Sequence, residues 1–253
     1  MSADAHGAPG PRGDADADGA PTVLFWDIDG TLLSTARAGV FALEDAAESQ
    51  LGRRPDFSTL DTAGLTDHAI AARALDREGG DTSEAAVHEF IAVYERRLPE
   101  RLPLREGKVM PRVKEVLDAL DGRSDVLNLL LTGNTRAGAT AKLAHYGLAA
   151  YFTDGAEALD GAFSEDLSSR ESIAVRAHDL AAQRLGGEPA ADRAFVIGDT
   201  PHDVRAGDAI GARVLAVATG AYDLAALEAL DPWWATPELP EPAELELRLG
   251  LVG

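Results

Sequence analysis

The chain contains no cysteine among its 253 residues. It can therefore form no disulfide, thiolate nucleophile, zinc–thiolate site or iron–sulfur cluster. No segment approaches the roughly 18 apolar residues that span a bilayer, and the N-terminus has no basic region followed by an apolar stretch. We expect no membrane segment, no signal peptide and a cytoplasmic location.

Positive charge is also scarce, since 23 Lys and Arg face 43 Asp and Glu, for a net charge of −20. This balance argues against a nucleic-acid backbone or an anionic membrane as a partner. An anionic substrate would need a local cation. The 45% hydrophobic and 26% charged residues are ordinary for a soluble globular protein.

The first 20 residues consist mostly of Ala, Gly, Pro and Asp and are predicted to form a disordered leader. Within them, "DADADG" (14–19) matches the first half of an EF-hand calcium loop. That loop needs Glu at its twelfth position, where this chain has Phe25. We interpret the segment as a polar tail.

After the leader, apolar runs alternate with helical patterns. The runs predict strands at 22–29, 126–134, 194–200 and 213–220, with 151–155 as a candidate fifth strand. Helical patterns occupy 111–122, 135–147, 169–187 and 201–212, and the first three end at glycine. The alternation predicts an α/β fold with a doubly wound, Rossmann-like parallel sheet.

The interval 34–108 contains no comparable apolar run. Helices are predicted at about 37–51, 67–78 and 83–98, and the interval is too long for a loop. The expected division is a leader at 1–20, an α/β core at 21–33 and 109–253, and a small helical cap domain at 34–108. Trp233 and Trp234 are expected to anchor the Pro- and Glu-rich tail to the core.

Polar residues follow three of the predicted strands, and in open α/β sheets sites form outside these carboxyl ends. "FWDIDGTLLS" (25–34) places two carboxylates at the end of the first run. If the strand ends are adjacent, several carboxylates converge and need a cation. Mg²⁺ fits, because it prefers oxygen ligands and works with carboxylates and substrate phosphate. The converging residues are Asp27, Asp29, Thr132, Asn134, Asp199 and Asp203.

A carboxylate, a hydroxyl, helix N-termini and Mg²⁺ together indicate phosphoryl transfer. The metal would neutralise the phosphate so that an aspartate can attack it. The Thr132 hydroxyl and free N–H groups would hold phosphate oxygens. A second aspartate can act as general acid and then as general base.

"DIDGT", "LLTGN" and "IGDTPHD", in this order, resemble the haloacid dehalogenase-like hydrolase superfamily over about residues 22–220. The likeness is to the phosphatase branch with a helical cap after the first motif, which includes phosphoglycolate phosphatases and β-phosphoglucomutase-like proteins. The resemblance implies Asp27 as the nucleophile that becomes an aspartyl phosphate, and Asp29 as general acid and base. It implies phosphate binding by Thr132, and a Mg²⁺ site that comprises Asp27, Asp29 (through its backbone carbonyl), Asp199 and Asp203.

The family's phosphate-holding Lys-Pro pair does not occur within 135–198. Arg170 and Lys142 remain two candidates for that cation. Asp67 is also expected to cap the helix that follows it. Further candidates for binding phosphate or substrate are Gly30, Thr31, Gly133, Asn134, Thr66 and Asp67.

The predicted function is a Mg²⁺-dependent phosphatase for a small phosphorylated metabolite, acting as a monomer or homodimer. A sugar phosphomutase with the same machinery is an alternative. So is a metal-independent 2-haloacid dehalogenase, although it would not need Asp29, Asp199 or Asp203. A phosphonate hydrolase would use a cap lysine, and 34–107 contains none. A binding module without activity would be expected to have lost an essential carboxylate, and none is missing.

Overall fold

The computed structural model describes residues 19–153, 158–165 and 169–251. Of the predicted leader and its calcium-loop lookalike, only Gly19 and Ala20 lie within these ranges. No helix of this part is both long and apolar enough to cross a bilayer. The described strands are β1 (Thr22–Trp26), β2 (Leu33–Ser34), β3 (Lys108–Val109), β4 (Val126–Leu131), β5 (Gly161–Ala162), β6 (Ala194–Gly198), β7 (Arg213–Val217) and β8 (Trp234–Thr236). The described α-helices are α1 (Ala38–Leu51), α2 (Asp67–Arg77), α3 (Glu84–Arg101), α4 (Val113–Leu120), α5 (Arg136–His145), α6 (Arg170–Leu185), α7 (Pro201–Ile210), α8 (Leu224–Glu228) and α9 (Pro242–Leu249).

Six strands form one parallel sheet in the order β5-β4-β1-β6-β7-β8. This confirms the predicted α/β, doubly wound class. In β1, Val23 lies opposite Leu127 of β4 and Ala194 of β6. The sheet grows from β1 through β4 and β5 on one side and through β6 to β8 on the other. The strand order therefore reverses between β1 and β6, which is where open sheets place their sites.

Both faces of the sheet are covered. Leu24 and Trp26 of β1 belong to an apolar cluster with α4, α5 and α9, whereas Val23 and Phe25 belong to one with α6 and α7. Alternate residues of a strand point to opposite faces. Because every residue of β1 is buried, the strand has a continuous apolar sequence instead of an alternating one.

Residues 34–108, which we call the helical insert, pack around a separate apolar cluster that includes Phe57, Phe90 and Leu98. β2 and β3 pair antiparallel, with Leu33 opposite Val109, so the two ends of the insert lie side by side. Its three helices occur close to the predicted positions. α3 runs through Pro99 to Arg101 instead of ending at 98. The Leu102 N–H still donates to the Leu98 carbonyl, although a proline removes its own N–H and crowds the carbonyl four residues earlier.

The predicted fifth strand at 151–155 is wrong for its described part. Residues Ala149–Phe152 form a 3-10 helix, and residues 154 and 155 lie outside the described ranges. The edge strand is instead β5, whose Gly161 lies beside Leu130. A Cβ on Gly161 would be 2.4 Å from the Leu130 carbonyl oxygen. The strand thus depends on a close backbone approach, which a short apolar pattern does not reveal.

The tail is anchored by its tryptophans, as predicted. Trp233 and Trp234 pack against the same cluster as β1, and the Trp233 ring centroid lies 5.0 Å from that of Phe195. The tail also supplies β8 and α9, which were not predicted because Pro and Glu interrupt the apolar pattern there.

Candidate active site

The end of β1 separates the two aspartates. β1 ends at Trp26, although the Asp27 N–H still donates to the Ile197 carbonyl at 3.0 Å. The chain then turns at Gly30, whose φ of 89° suits glycine. Asp27 is buried, whereas the Asp29 side chain is 45% exposed. The two carboxylates therefore lie in different environments. A regular strand would instead have placed both on the same face.

Three buried carboxylates meet where β1 and β6 end side by side. Asp27 follows β1, Asp199 follows β6, and Asp203 lies in the first turn of α7. One oxygen from each lies within 4.8 Å of the others. The sequence prediction that these strand ends converge is confirmed. The Asp29 side chain is not part of this group.

Neighbouring groups fix Asp199 and Asp203 in place. The Thr31 hydroxyl donates to Asp199 Oδ1 at 3.1 Å. A Cβ on Gly30 would lie 2.3 Å from Asp199 Oδ2, and one on Gly220 only 1.6 Å from it, so both positions exclude a side chain. Asp203 Oδ2 accepts the Thr200 N–H at 3.0 Å and the Thr200 hydroxyl at 2.7 Å. The first of these bonds, together with the Asp203 N–H donating to the Thr200 side chain, forms the capping box of α7.

The charge of the cluster suits a divalent cation. Burial raises the pKa of Asp27 despite Arg170, and burial together with Asp27 and Asp203 raises the pKa of Asp199. Among the described residues, Arg170 is the only cation that hydrogen-bonds to any of the three carboxylates, and it contacts Asp27 and Asp203 but not Asp199. The negative charge left over and the all-oxygen donor set are what a hard divalent ion requires.

Arg170 joins two members of this cluster. It is the first residue of α6, which is capped by the Ser169 hydroxyl. Nη1 donates to Asp27 Oδ1 at 2.9 Å, and Nη2 donates to Asp203 Oδ1. A planar guanidinium can bridge two carboxylates in this way, which a lysine cannot reproduce.

Lys142 instead contacts Asp29. Its Nζ lies 2.5 Å from Asp29 Oδ2 and also donates to Asn134 Oδ1. Asn134 Nδ2 donates to the same Asp29 oxygen and to Thr132 Oγ1, both at 2.8 Å. Burial lowers the pKa of Lys142, but Asp29 and Asp67 outweigh it and raise the pKa above the ordinary value. The two candidate cations thus hold different aspartates.

The helical insert contacts the core directly beside this network. The Asp67 N–H donates to the Gly133 carbonyl at 2.7 Å, and Asp67 Oδ2 accepts the Thr135 N–H at 2.8 Å. The predicted cap of α2 by Asp67 is wrong, because the Thr66 hydroxyl accepts the Ala69 N–H and Asp67 faces the core. Burial raises the pKa of Asp67 to about 6, although Lys142 opposes the shift.

A cavity of about 270 Å³ opens between the insert and the sheet. Thr31, Thr66, Thr132 and Asp203 are buried and do not line it. The predicted residues that line it are Asp27, Asp29, Gly30, Asp67, Gly133, Asn134, Lys142, Arg170 and Asp199.

The sequence analysis missed further residues that line the cavity, among them Gly220, Arg37 and Tyr94. Gly220 could have been found, because it ends the predicted strand at 213–220 on the same edge of the sheet. Arg37 and Tyr94 belong to no recognisable motif, and only the packing of the insert brings them here.

Comparison with known proteins agrees with the fold and the motifs. The family model described as haloacid dehalogenase-like hydrolase matches residues 24–208. The chain belongs to this family of hydrolase enzymes, and the resemblance carried by its three motifs is confirmed.

Individual relatives span nearly the whole chain. It is 30% identical over 217 residues to the probable phosphatase IndB of Dickeya dadantii (strain 3937), covering 84% of this chain and 87% of the relative. It is 26% identical over 221 residues to a phosphoglycolate phosphatase of Haemophilus influenzae, covering 83% and 92%. The crystal structure of a predicted phosphoglycolate phosphatase from Haemophilus somnus 129pt matches with a TM-score of 0.69 at 16% identity, covering 92% and 99%. This structural likeness shows a shared fold.

Proposed function

We propose that the protein is a Mg²⁺-dependent phosphatase that hydrolyses a small phosphorylated substrate through an aspartyl phosphate on Asp27. The observation that carries this proposal is the buried cluster of Asp27, Asp199 and Asp203, bridged by Arg170 at the cavity. The names of the two relatives, a probable phosphatase and a phosphoglycolate phosphatase, support the same activity.

Asp27 and Asp199 would hold the metal, and Asp203 would orient both the site and Arg170. When bound, Mg²⁺ supplies charge neutralisation for the phosphate. An Asp27 carboxylate oxygen attacks phosphorus, a new O–P bond forms, and the bond from phosphorus to the leaving oxygen breaks. Arg170 keeps Asp27 in line and donates toward the phosphate oxygens.

Asp29 provides the proton transfers. In the first step a proton on Asp29 passes to the leaving oxygen, and in the second Asp29 takes a proton from the water that cleaves the aspartyl phosphate. Lys142 and Asn134 both bind Oδ2 of Asp29, which leaves Oδ1 for the reacting groups. In this proposal Arg170 is the phosphate-binding cation and Lys142 is a positioning residue for Asp29.

The helical insert would act as the cap domain of the enzyme, with the division at about 34–108. Its ends meet at β2 and β3, it has its own apolar cluster, and it forms one wall of the cavity. Such a cap excludes water from the phosphoryl group and selects the leaving group.

The central test is Asp27→Asn, which keeps the side-chain shape but removes the nucleophile. With Mg²⁺, the wild-type protein should release phosphate from p-nitrophenyl phosphate, and Asp27→Asn should lower kcat by more than about 10³-fold. Asp208→Asn, at an exposed position on α7, is the matched control and should retain activity. Turnover that survives Asp27→Asn, or that a metal chelator leaves unchanged, would contradict the mechanism.

A further inference from the structure

We infer that the Tyr94 hydroxyl is a specificity-determining hydrogen-bond donor, which holds an uncharged oxygen on the leaving group of the substrate. This inference rests on the proposed phosphatase function and adds a residue that selects the leaving group. The observation behind it is a buried phenol on the cavity wall whose hydroxyl has no hydrogen-bond partner among the described residues.

Tyr94 lies deep in the helical insert. It belongs to α3, only 2% of its surface is exposed, and it lines the cavity. A buried tyrosine normally finds a hydrogen-bond partner for its hydroxyl. The Tyr94 hydroxyl makes no hydrogen bond to any residue within 19–153, 158–165 and 169–251. Its partner is therefore a molecule that enters the cavity.

The ring of Tyr94 is held between the insert and the core. A Cβ on Gly39 of α1 would lie 3.8 Å from Tyr94 Oη, and one on Gly138 of α5 would lie 3.7 Å from Tyr94 Cε1. Gly39 also lines the cavity, which places the hydroxyl oxygen at the cavity wall. A ring packed between two helices presents its hydroxyl in a fixed direction, as a binding group requires.

The hydroxyl of Tyr146 provides a contrast. Its oxygen is enclosed without a partner, lies against Gly107 and belongs to a residue that does not line the cavity. A ligand in the cavity cannot satisfy it. The Tyr94 oxygen is not one of the enclosed, unpartnered atoms of the described residues. It is therefore accessible from the cavity.

The charges around Tyr94 favour an uncharged acceptor. Burial, Asp67 and Asp29 raise the pKa of Tyr94 well above its ordinary value, so the hydroxyl keeps its proton and can donate it. The same two carboxylates repel an anion, and Lys142, the cation beside them, is already bound to Asp29. A hydroxyl, ether or carbonyl oxygen therefore suits this position better than a carboxylate or a second phosphate.

The rest of the insert side gives one polar contact a large effect. Val40, Leu43 and Ile70 line it with apolar side chains, and the cavity volume is about 270 Å³. In pockets of this kind a small number of polar groups fix the orientation of the ligand. A hydrogen bond from Tyr94 would orient the leaving group so that its ester oxygen faces Asp29.

Two esters of similar size test this inference. Racemic glycerol 3-phosphate carries two hydroxyls on its leaving group, and 2-methylbutyl phosphate has methyl groups in their places. Calorimetry with Asp27→Asn protein and Mg²⁺ measures affinity without turnover, so the result does not depend on hydrolysis. Adding Tyr94→Phe should weaken the binding of glycerol 3-phosphate by about 3- to 10-fold, and should leave that of 2-methylbutyl phosphate unchanged.

The matched control is Tyr146→Phe, which removes an enclosed hydroxyl outside the cavity lining and should change neither affinity. Because Tyr94→Phe removes a single oxygen and keeps the ring, the change in affinity isolates this hydroxyl from three others on the cavity wall, those of Ser34, Thr35 and Thr62.

Three outcomes would overturn the role of Tyr94. They are a loss for 2-methylbutyl phosphate as large as that for glycerol 3-phosphate, no loss for either ester, and no measurable binding of glycerol 3-phosphate before Tyr94 is changed. Absence of Asp27-dependent hydrolysis of p-nitrophenyl phosphate is a separate result, which would overturn the phosphatase proposal instead.

Discussion

At the scale of single residues, Asp27 and Asp29 show how different environments suit two identical side chains to different chemical roles. Asp27 is buried against Arg170 and two further carboxylates, whereas Asp29 is half exposed and held by Lys142 and Asn134. A buried anion beside a metal site suits nucleophilic attack. A partly exposed carboxyl suits proton exchange with the leaving group and water.

Variants of the two cations should have different kinetic signatures. Arg170→Gln should lower kcat/KM by about 10²-fold or more for both p-nitrophenyl phosphate and ethyl phosphate, because phosphate binding is common to them. Lys142→Gln should lower kcat/KM for ethyl phosphate at least ~10-fold more than for p-nitrophenyl phosphate, because only the ethoxide leaving group needs a proton.

Steady-state kinetics with both esters measures this contrast, since kcat/KM reports the step in which the leaving group departs. Lys114→Gln, at an exposed lysine on α4, is the control and should change neither value. An equal loss for both esters in Lys142→Gln would assign Lys142 to phosphate binding instead. If neither variant loses at least ~10-fold, the phosphate-binding cation is another residue.

At the scale of secondary structure, the start of α1 is locally unfavourable. Ala36 and Arg37 both have positive φ, which costs a non-glycine residue roughly 1 kcal/mol. Ala36→Gly should therefore raise the free energy of unfolding by about 0.5–1 kcal/mol, since glycine relieves this strain but loses more entropy on folding.

Chemical denaturation measures the change. Ser49→Gly, at an exposed site within α1, is the opposing control and should lower the free energy of unfolding by roughly 0.5 kcal/mol. Destabilisation by Ala36→Gly would show that the left-handed turn is not strained.

At the scale of the whole molecule, Asp67 ties the insert to the core through Gly133 and Thr135. Its pKa is raised to about 6 from an ordinary value of 3.8, so folding favours the protonated form. The stabilisation from this proton is fully present below about pH 3.8 and is lost as pH rises through about 6.

Asp67→Asn imitates the protonated state and should remove this loss. The quantity to compare is the free energy of unfolding of Asp67→Asn minus that of wild type. This difference should be larger at about pH 7.5 than at about pH 4, by on the order of 2 kcal/mol. Urea denaturation at both pH values measures the difference. Asp76→Asn, an exposed carboxyl on α2, should differ from wild type by less than about 0.5 kcal/mol at both. A pH-independent effect of Asp67→Asn would exclude a buried, titrating Asp67.

The sequence alone determined the fold class and the ends of three strands, because a sheet buried on both faces imposes continuous apolar runs and its carboxyl ends lie at one edge. These patterns were sufficient to predict that Asp27, Asp199 and Asp203 lie close together. It did not reveal β5 or α9, since a two-residue edge strand and a Glu-rich helix carry little apolar pattern.

The tertiary structure alone decided how the charges pair. The sequence left both Arg170 and Lys142 as candidates, and only the packing of α5 and α6 gives each its own aspartate. Arg37 reaches the cavity only because the insert folds back over the sheet. Local sequence patterns indicate which residues are buried. Ion pairs between side chains more than a hundred residues apart in sequence depend instead on how the packed helices and strands orient those side chains.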